Sequence, residues 1–188
     1  MAATVQREIR VSVFYFLGLI LAALATDAVL HGFGLVWIGR WLGPLGLALI
    51  LFSFVYSVRR RKFITGGKIP SYLRFHEFAA WLGSLLVLVH SGIHFNALIP
   101  WLATLAMLVT TASGLTGKFL LKSAQFRLKE QKAGLETSGM TPEAVEAELL
   151  SEARMVEAMR KWRVLHLPIT LSFALLALAH LGSLWYFG

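Results

Sequence analysis

Residues 73–95 read LRFHEFAAWLGSLLVLVHSGIHF, and residues 164–187 read VLHLPITLSFALLALAHLGSLWYF. Both are apolar and long enough for a helix to cross a bilayer, which takes ~20 residues. Each holds two histidines fourteen residues apart: His76 and His90 in the first, His166 and His180 in the second. Fourteen helical residues rise ~21 Å and return to within ~40° of the same face. Each segment therefore presents two imidazoles on one side, one toward either end of the span. Ionisable side chains are costly inside a membrane, so four in matched register ask for a functional reason. Two such helices side by side make two stacked His–His pairs, a geometry that suits two haems one above the other.

Three further apolar stretches surround these two, and the expected spans are 11–30, 42–58, 73–95, 101–121 and 164–187. The fold class is therefore all-α, an integral membrane bundle of five transmembrane helices forming one domain over 1–188. Asn96 to Pro100 reads as a tight turn, and the polar segment 122–163 as a cytoplasmic amphipathic helical loop. Within that loop, Thr141 as N-cap, Pro142 at the first helical position and Glu143 mark a helix start. Val145, Leu149, Met155 and Met159 give this helix a partial apolar stripe. It reads as a surface helix against the bundle or the headgroups, ahead of a docking site for a partner subunit. Pro168 is expected to separate the loop helix from the fifth span by a kink. The first span has no small-residue cleavage site after it and reads as retained.

The net charge is +8, but the basic residues flank the spans, which is a membrane-topology pattern and not that of a nucleic-acid surface. With the N-terminus in the cytoplasm, every Lys and Arg except Arg40 lies on the inner side, and the C-terminus is outside. His76 and His166 then fall near the inner face, and His90, His94 and His180 near the outer. The third and fifth spans run the same way, so equal spacings match in depth. The chain has no cysteine. Disulfides, iron–sulfur ligation and covalent haem attachment are excluded, and any haem is non-covalent haem b. Trp37, Trp41, Trp101, Trp162, Trp185 and Tyr186 read as an interfacial aromatic belt.

Two axial imidazoles leave iron no open position, so such a haem moves electrons and does not bind oxygen. Gly83, midway between His76 and His90, leaves room for a porphyrin, as do Gly114 and Gly117. Arg74, Lys118 and Arg163 are candidate counter-charges for the propionates of an inner haem, and Arg40 for an outer one. His94, one turn beyond His90, is the alternative outer ligand, or a partner for a propionate or a quinone oxygen. Asp27 and His31, four residues apart near the outer end of the first span, and Glu77 beside His76 are candidate proton acceptors from a quinol. Against these stand plainer readings: histidines bonded between helices, and helix-end pairs solvated by headgroups.

The pattern His76-x13-His90, repeated as His166-x13-His180 two spans later, resembles the dihaem cytochrome b superfamily and the ferric-reductase-like transmembrane proteins. The strings Phe75-His76-Glu77, His90-Ser-Gly-Ile-His94 and Ser113-Gly-Leu-Thr-Gly117 are similar to those of small bacterial cytochrome b subunits. The resemblance covers residues 73–188. It implies His76 and His166 on an inner haem iron, His90 and His180 on an outer one, quinone chemistry at one face, and a place in the bacterial inner membrane. Full ferric reductases append a flavin or nicotinamide domain that this sequence lacks. The expectation is therefore an electron-transfer subunit between the quinone pool and a partner redox protein. A cytochrome c, iron–sulfur or molybdenum protein on the outer face is preferred to an inner-face flavoprotein. The alternative is a non-redox membrane anchor or assembly subunit. A metal or proton transporter is weaker, because few carboxylates lie within the spans.

Overall fold

The computed structural model describes residues 2–93 and 98–187, with side chains at all of these except positions 2–4, 93, 151, 155, 162–163 and 187. His94 and the first half of the expected turn at Asn96 lie outside the described residues. Helices α1 (Ala2–Gly32), α2 (Val36–Ser53), α3 (Val55–Arg60), α4 (Ile69–Ile93) and α5 (Leu98–Thr116) come first. A π-helical turn (Gly117–Leu121) then leads into α6 (Lys122–Thr137), and α7 (Pro142–Phe187) closes the chain. Among the described residues there is no strand.

Three of these helices end in the same way. Leu35 N–H reaches back to Leu30 O and Gly34 N–H to His31 O; Phe63 reaches Val58 and Lys62 reaches Arg59; Met140 reaches Leu135 and Gly139 reaches Glu136. This is the Schellman pattern, which satisfies the last helical carbonyls by putting one residue in the left-handed region. Gly34 (φ 68°) and Gly139 (φ 77°) take that conformation freely, whereas Lys62 (φ 64°) does so at a cost of ~1–2 kcal/mol. At the start of α7, Ala144 N–H donates to Thr141 Oγ1 at 3.4 Å, with Pro142 as the first helical residue. The N-cap read from the sequence is the one the chain uses.

Five helical stretches are long and apolar enough to cross a membrane: Val5–Gly32, Val36–Arg60, Ile69–Gly92, Leu98–Thr137 and Glu152–Tyr186. The number agrees with the expectation, every stretch begins before its expected start, and three depart most. The second stretch begins at Val36, so that Trp37 and Arg40 are helical, and its ladder is interrupted at Phe54. The fourth runs on through the π turn into α6. The fifth is the end of a single 46-residue helix with Pro168 inside it. The expected kink at Pro168 therefore falls inside a continuous helix, at the position where the two compact units divide. A helical proline removes one backbone donor, and membrane helices tolerate this because neighbouring groups re-satisfy the freed carbonyl. The segment 122–163 is accordingly a pair of helices continuous with the spans, not an independent loop helix.

The packing is inverted relative to a water-soluble core. Outward-facing residues include Phe14, Leu21, Phe52, Phe78, Leu175 and Trp185, while many buried positions are Ala, Ser or Gly. This is the composition of helices that meet through small residues and show their large apolar side chains to lipid. Half-buried threonine hydroxyls are satisfied locally: Thr104, Thr110, Thr111 and Thr116 each donate to the carbonyl four residues back.

The chain forms two compact units, one of residues 1–15 and 112–168, the other of residues 16–111 and 169–188. In the first, Leu121, Ala124 and Val156 form the buried cluster. There Glu8 of α1 accepts from the Ser123 hydroxyl and from Arg127 Nη1, the latter at 2.7 Å. In the second unit, Ile50, Ala103, Met107, Phe173 and Ala177 join α2, α5 and α7. Ala23 and Leu30 seat α1 against Val89 of α4.

Candidate functional site

The α2 residues that are buried are Gly39, Gly43, Gly46, Ile50 and Ser53. Steps of three and four residues put them on one helix face. That face lies against α4, which runs the opposite way. His90 Nδ1 bonds Gly39 O at 2.9 Å, and His76 Nδ1 bonds Ser53 O at 3.1 Å. Midway, Gly46 and Gly83 face each other so closely that a Cβ on either would lie 2.7 Å from the other's carbonyl oxygen. The three pairings are each seven residues apart on both helices. The two carbonyls on α2 thus repeat the fourteen-residue spacing of the two imidazoles on α4.

A carbonyl oxygen only accepts, and its second lone pair is open even inside a helix. Nδ1 of both histidines must therefore carry the proton. In the neutral ring Nε2 then carries the acceptor lone pair, the tautomer in which imidazole ligates iron. Both rings are further confined. Gly43 lies against His90, where a Cβ would sit 2.6–2.8 Å from the ring. His76 is stacked on Tyr56, with ring centroids 5.5 Å apart. At Ser53 the hydroxyl donates back to Ile50 O at 2.6 Å, and Phe54 N–H bonds Leu51 only three residues back. This tightens the turn at the carbonyl that receives His76.

A second helix holds α4 from another side. Ser84 Oγ and Thr111 Oγ1 are 3.1 Å apart, and Ser91 Oγ and Thr104 Oγ1 are 2.8 Å apart. These two hydroxyl bridges to α5 are again seven residues apart on each helix. They occupy the positions immediately after Gly83 and His90.

The other predicted residues are distributed as follows. His180 is half-buried on α7 in the same unit as His76 and His90, and its backbone carbonyl accepts from Ser183 Oγ at 2.7 Å. His166 belongs to the other unit, where Gly114 approaches it: a Cβ at Gly114 would lie 3.7 Å from His166 Cε1. Gly83 departs from its expected part. Its open side is filled by Gly46 and Ile50 of α2 and leaves no room there for a porphyrin. Arg74 and Lys118 are exposed, Lys118 standing over the Phe119 ring at 5.4 Å. Arg163 is described only by its place on α7. Glu77 is half-buried beside His76. Asp27 Oδ1 is 3.5 Å from His31 Nδ1, so those two are neighbours on α1. Among the described residues no group of three or more His, Asp or Glu side chains forms a metal-ion site. A ligand pair of two histidines is a different arrangement and is the one in question here.

Gly39, Gly43 and Ser53 were not among the residues singled out from the sequence. The signal was there: Gly39-x6-Gly46-x6-Ser53 has the same heptad steps as His76-x6-Gly83-x6-His90. Reading it required knowing that α2 starts at Val36, upstream of the expected span. Comparison with family models, with curated proteins and with solved structures returned no match.

Proposed function

We propose that the chain is a b-type dihaem electron-transfer subunit of a bacterial inner membrane, passing electrons between the quinone pool and a partner redox protein. His76 and His166 hold the inner haem, and His90 and His180 the outer. The observation that carries this reading is the pair of α2 carbonyls. They commit Nδ1 of both α4 histidines, at ring positions fourteen residues apart, and so put both rings in the same tautomer. A metal-ligating histidine typically gives its other ring N–H to a carbonyl or carboxylate, which fixes its tautomer and orientation. Bound haem b supplies one-electron chemistry that no side chain of this cysteine-free chain offers. The chain's own residues orient the rings through Gly39 and Ser53, and Ser84 and Ser91 hold the helix that carries them. Arg74 and Lys118 supply positive charge for propionates. The N-terminus is cytoplasmic, and the partner docks on the outer face.

The same carbonyl bonds also tie α2 to α4, which favours a second reading as a non-redox anchor in which the histidines are structural. The test is a haem count with a reduced-minus-oxidised spectrum on the purified chain. Two b haems, falling to one in His166→Ala and to one in His180→Ala, are expected. A folded chain with no haem under ample haem supply overturns the proposal in favour of the anchor.

A further inference from the structure

Residues 61–68 connect α3 to α4, and the connection is a closed loop. Arg59 Nε donates to Gly66 O at 2.8 Å, and Arg59 Nη2 to Gly67 O at 3.1 Å. Gly67 (φ 75°) lets this turn form against the Tyr72 ring, where a Cβ would lie 2.8 Å from Cε2. The clamp returns the chain to α3 within the length of one arginine side chain, so Lys68 comes back toward Arg61 and Lys62. Arg60 Nη1 donates to the Tyr56 hydroxyl at 3.3 Å. Arg61, Lys62 and Lys68 are exposed and form no side-chain bond among the described residues. No Asp or Glu occurs between Asp27 and Glu77, so this part of the chain offers them no carboxylate.

Two features of the loop go beyond a cluster of charge at a span end. Lys62 holds φ 64°, and among the described residues it is the only non-glycine with positive φ. The equivalent positions after α1 and α6 carry Gly34 and Gly139, which take that conformation freely. Here a cation stands where glycine would be easier. In a Schellman cap the residue after the left-handed one often folds back onto the helix. Phe63 instead stands 78% exposed, and Ile64 beside it is exposed as well. The loop joins two membrane-spanning stretches, Val36–Arg60 and Ile69–Gly92, and so lies at the level of the headgroups. Cations flanking an outward aromatic side chain suit lipid phosphates and the acyl chains beneath them.

We propose that the loop of residues 61–68 is a binding site for the headgroup of an anionic phospholipid of the phosphatidylglycerol type. Its phosphate is held by the forked guanidinium of Arg61 and the ammonium groups of Lys62 and Lys68. Arg59 takes no part in binding and keeps the loop closed, so the three cations are gathered before the lipid arrives and little ordering is left to be done. An acidic protein segment would match the charge alone, whereas Phe63 and Ile64 match acyl chains as well. The site depends neither on the haems nor on which leaflet the loop faces.

The test titrates phospholipid into the detergent-purified full chain and counts bound lipid by native mass spectrometry. Phosphatidylglycerol is compared with phosphatidylcholine of the same acyl chains. The wild type is expected to favour phosphatidylglycerol by about 100-fold, at about fivefold for each of three cations beside an anionic headgroup. The triple variant Arg61→Gln, Lys62→Gln, Lys68→Gln is expected to bind the two lipids alike. Lys62→Gly is expected to lose about fivefold of the preference. It should also melt at a higher temperature in detergent, because glycine accepts the left-handed conformation freely. A lysine kept only for the fold would not raise stability and lower lipid preference together. Lys62→Gly carries the test if the triple variant does not assemble. Equal affinity of the wild type for both lipids, or full preference in either variant, overturns the site. Displacement of phosphatidylglycerol by inorganic phosphate or by a polyglutamate peptide at equal concentration overturns the lipid as its occupant.

Discussion

Gly43 is the residue on which the His90 geometry turns. With no side chain, it lets the imidazole lie against α2 and reach Gly39 O. A methyl there would meet Cγ and Cδ2 of the ring, close to its root, so the histidine cannot swing clear cheaply. Gly43→Ala is expected to lower stability by about 1–3 kcal/mol, the cost of overfilling a packed site. It should also loosen the Nδ1 bond and, on the proposed dihaem function, change the low-spin electron paramagnetic resonance signal of one haem and not the other. Thermal unfolding in detergent with that spectrum checks both; an unchanged melt and spectrum would show that the ring does not depend on this contact. The histidine spacing was legible in the sequence because a helix converts a count of residues directly into rise and angle. The carbonyl partners were not, because any helical carbonyl looks alike until a neighbouring helix selects one.

At the scale of elements, α4 is held from two sides within its unit. One face carries histidine–carbonyl and Gly–Gly meetings with α2, and another carries two Ser–Thr bridges to α5. The bridge between Ser91 and Thr104 is expected to show a coupling of about 0.6 kcal/mol in a double-mutant cycle of Ser91→Ala and Thr104→Val, the average for membrane interhelical hydrogen bonds. Strict additivity of the two substitutions would mean that the hydroxyls act apart. The five apolar stretches could be counted from the sequence, since each is ~20 residues of low polarity. Their ends were harder to read. Trp37 to Arg40 looked like loop, yet it is helical, and the polar helix expected after Leu121 follows the span without a gap. Polarity marks where water begins, and a helix does not have to stop there. Pro168 was read as the place of a kink, and the helix runs through it, because one missing N–H is too small a loss to end a 46-residue helix.

For the whole molecule, the orientation proposed from the charges is open to direct test. The chain has no cysteine, so an introduced thiol is the only one. Phe33→Cys and Trp185→Cys, both at exposed positions, are expected to react with a membrane-impermeant maleimide on intact cells. Arg61→Cys, in the Arg59–Lys62 cluster, is expected to react only after lysis. The reverse pattern would invert the topology. Small residues inside and large apolar ones outside agree with that bilayer setting, because lipid tails favour Leu and Phe as much as a protein core does.

The sequence by itself determined the all-helical class, the five apolar stretches, the N-cap at Thr141 and the matched fourteen-residue histidine pairs. All of these depend on local composition and on helix periodicity, which are properties of consecutive residues. Only the tertiary structure decided that α2 runs against α4 in a seven-residue register, that Gly83 meets Gly46, and that the histidines give Nδ1 to Gly39 and Ser53. Those choices depend on which helix faces meet. That is set by close packing between segments distant in the chain, where a single missing Cβ decides how near two backbones can come.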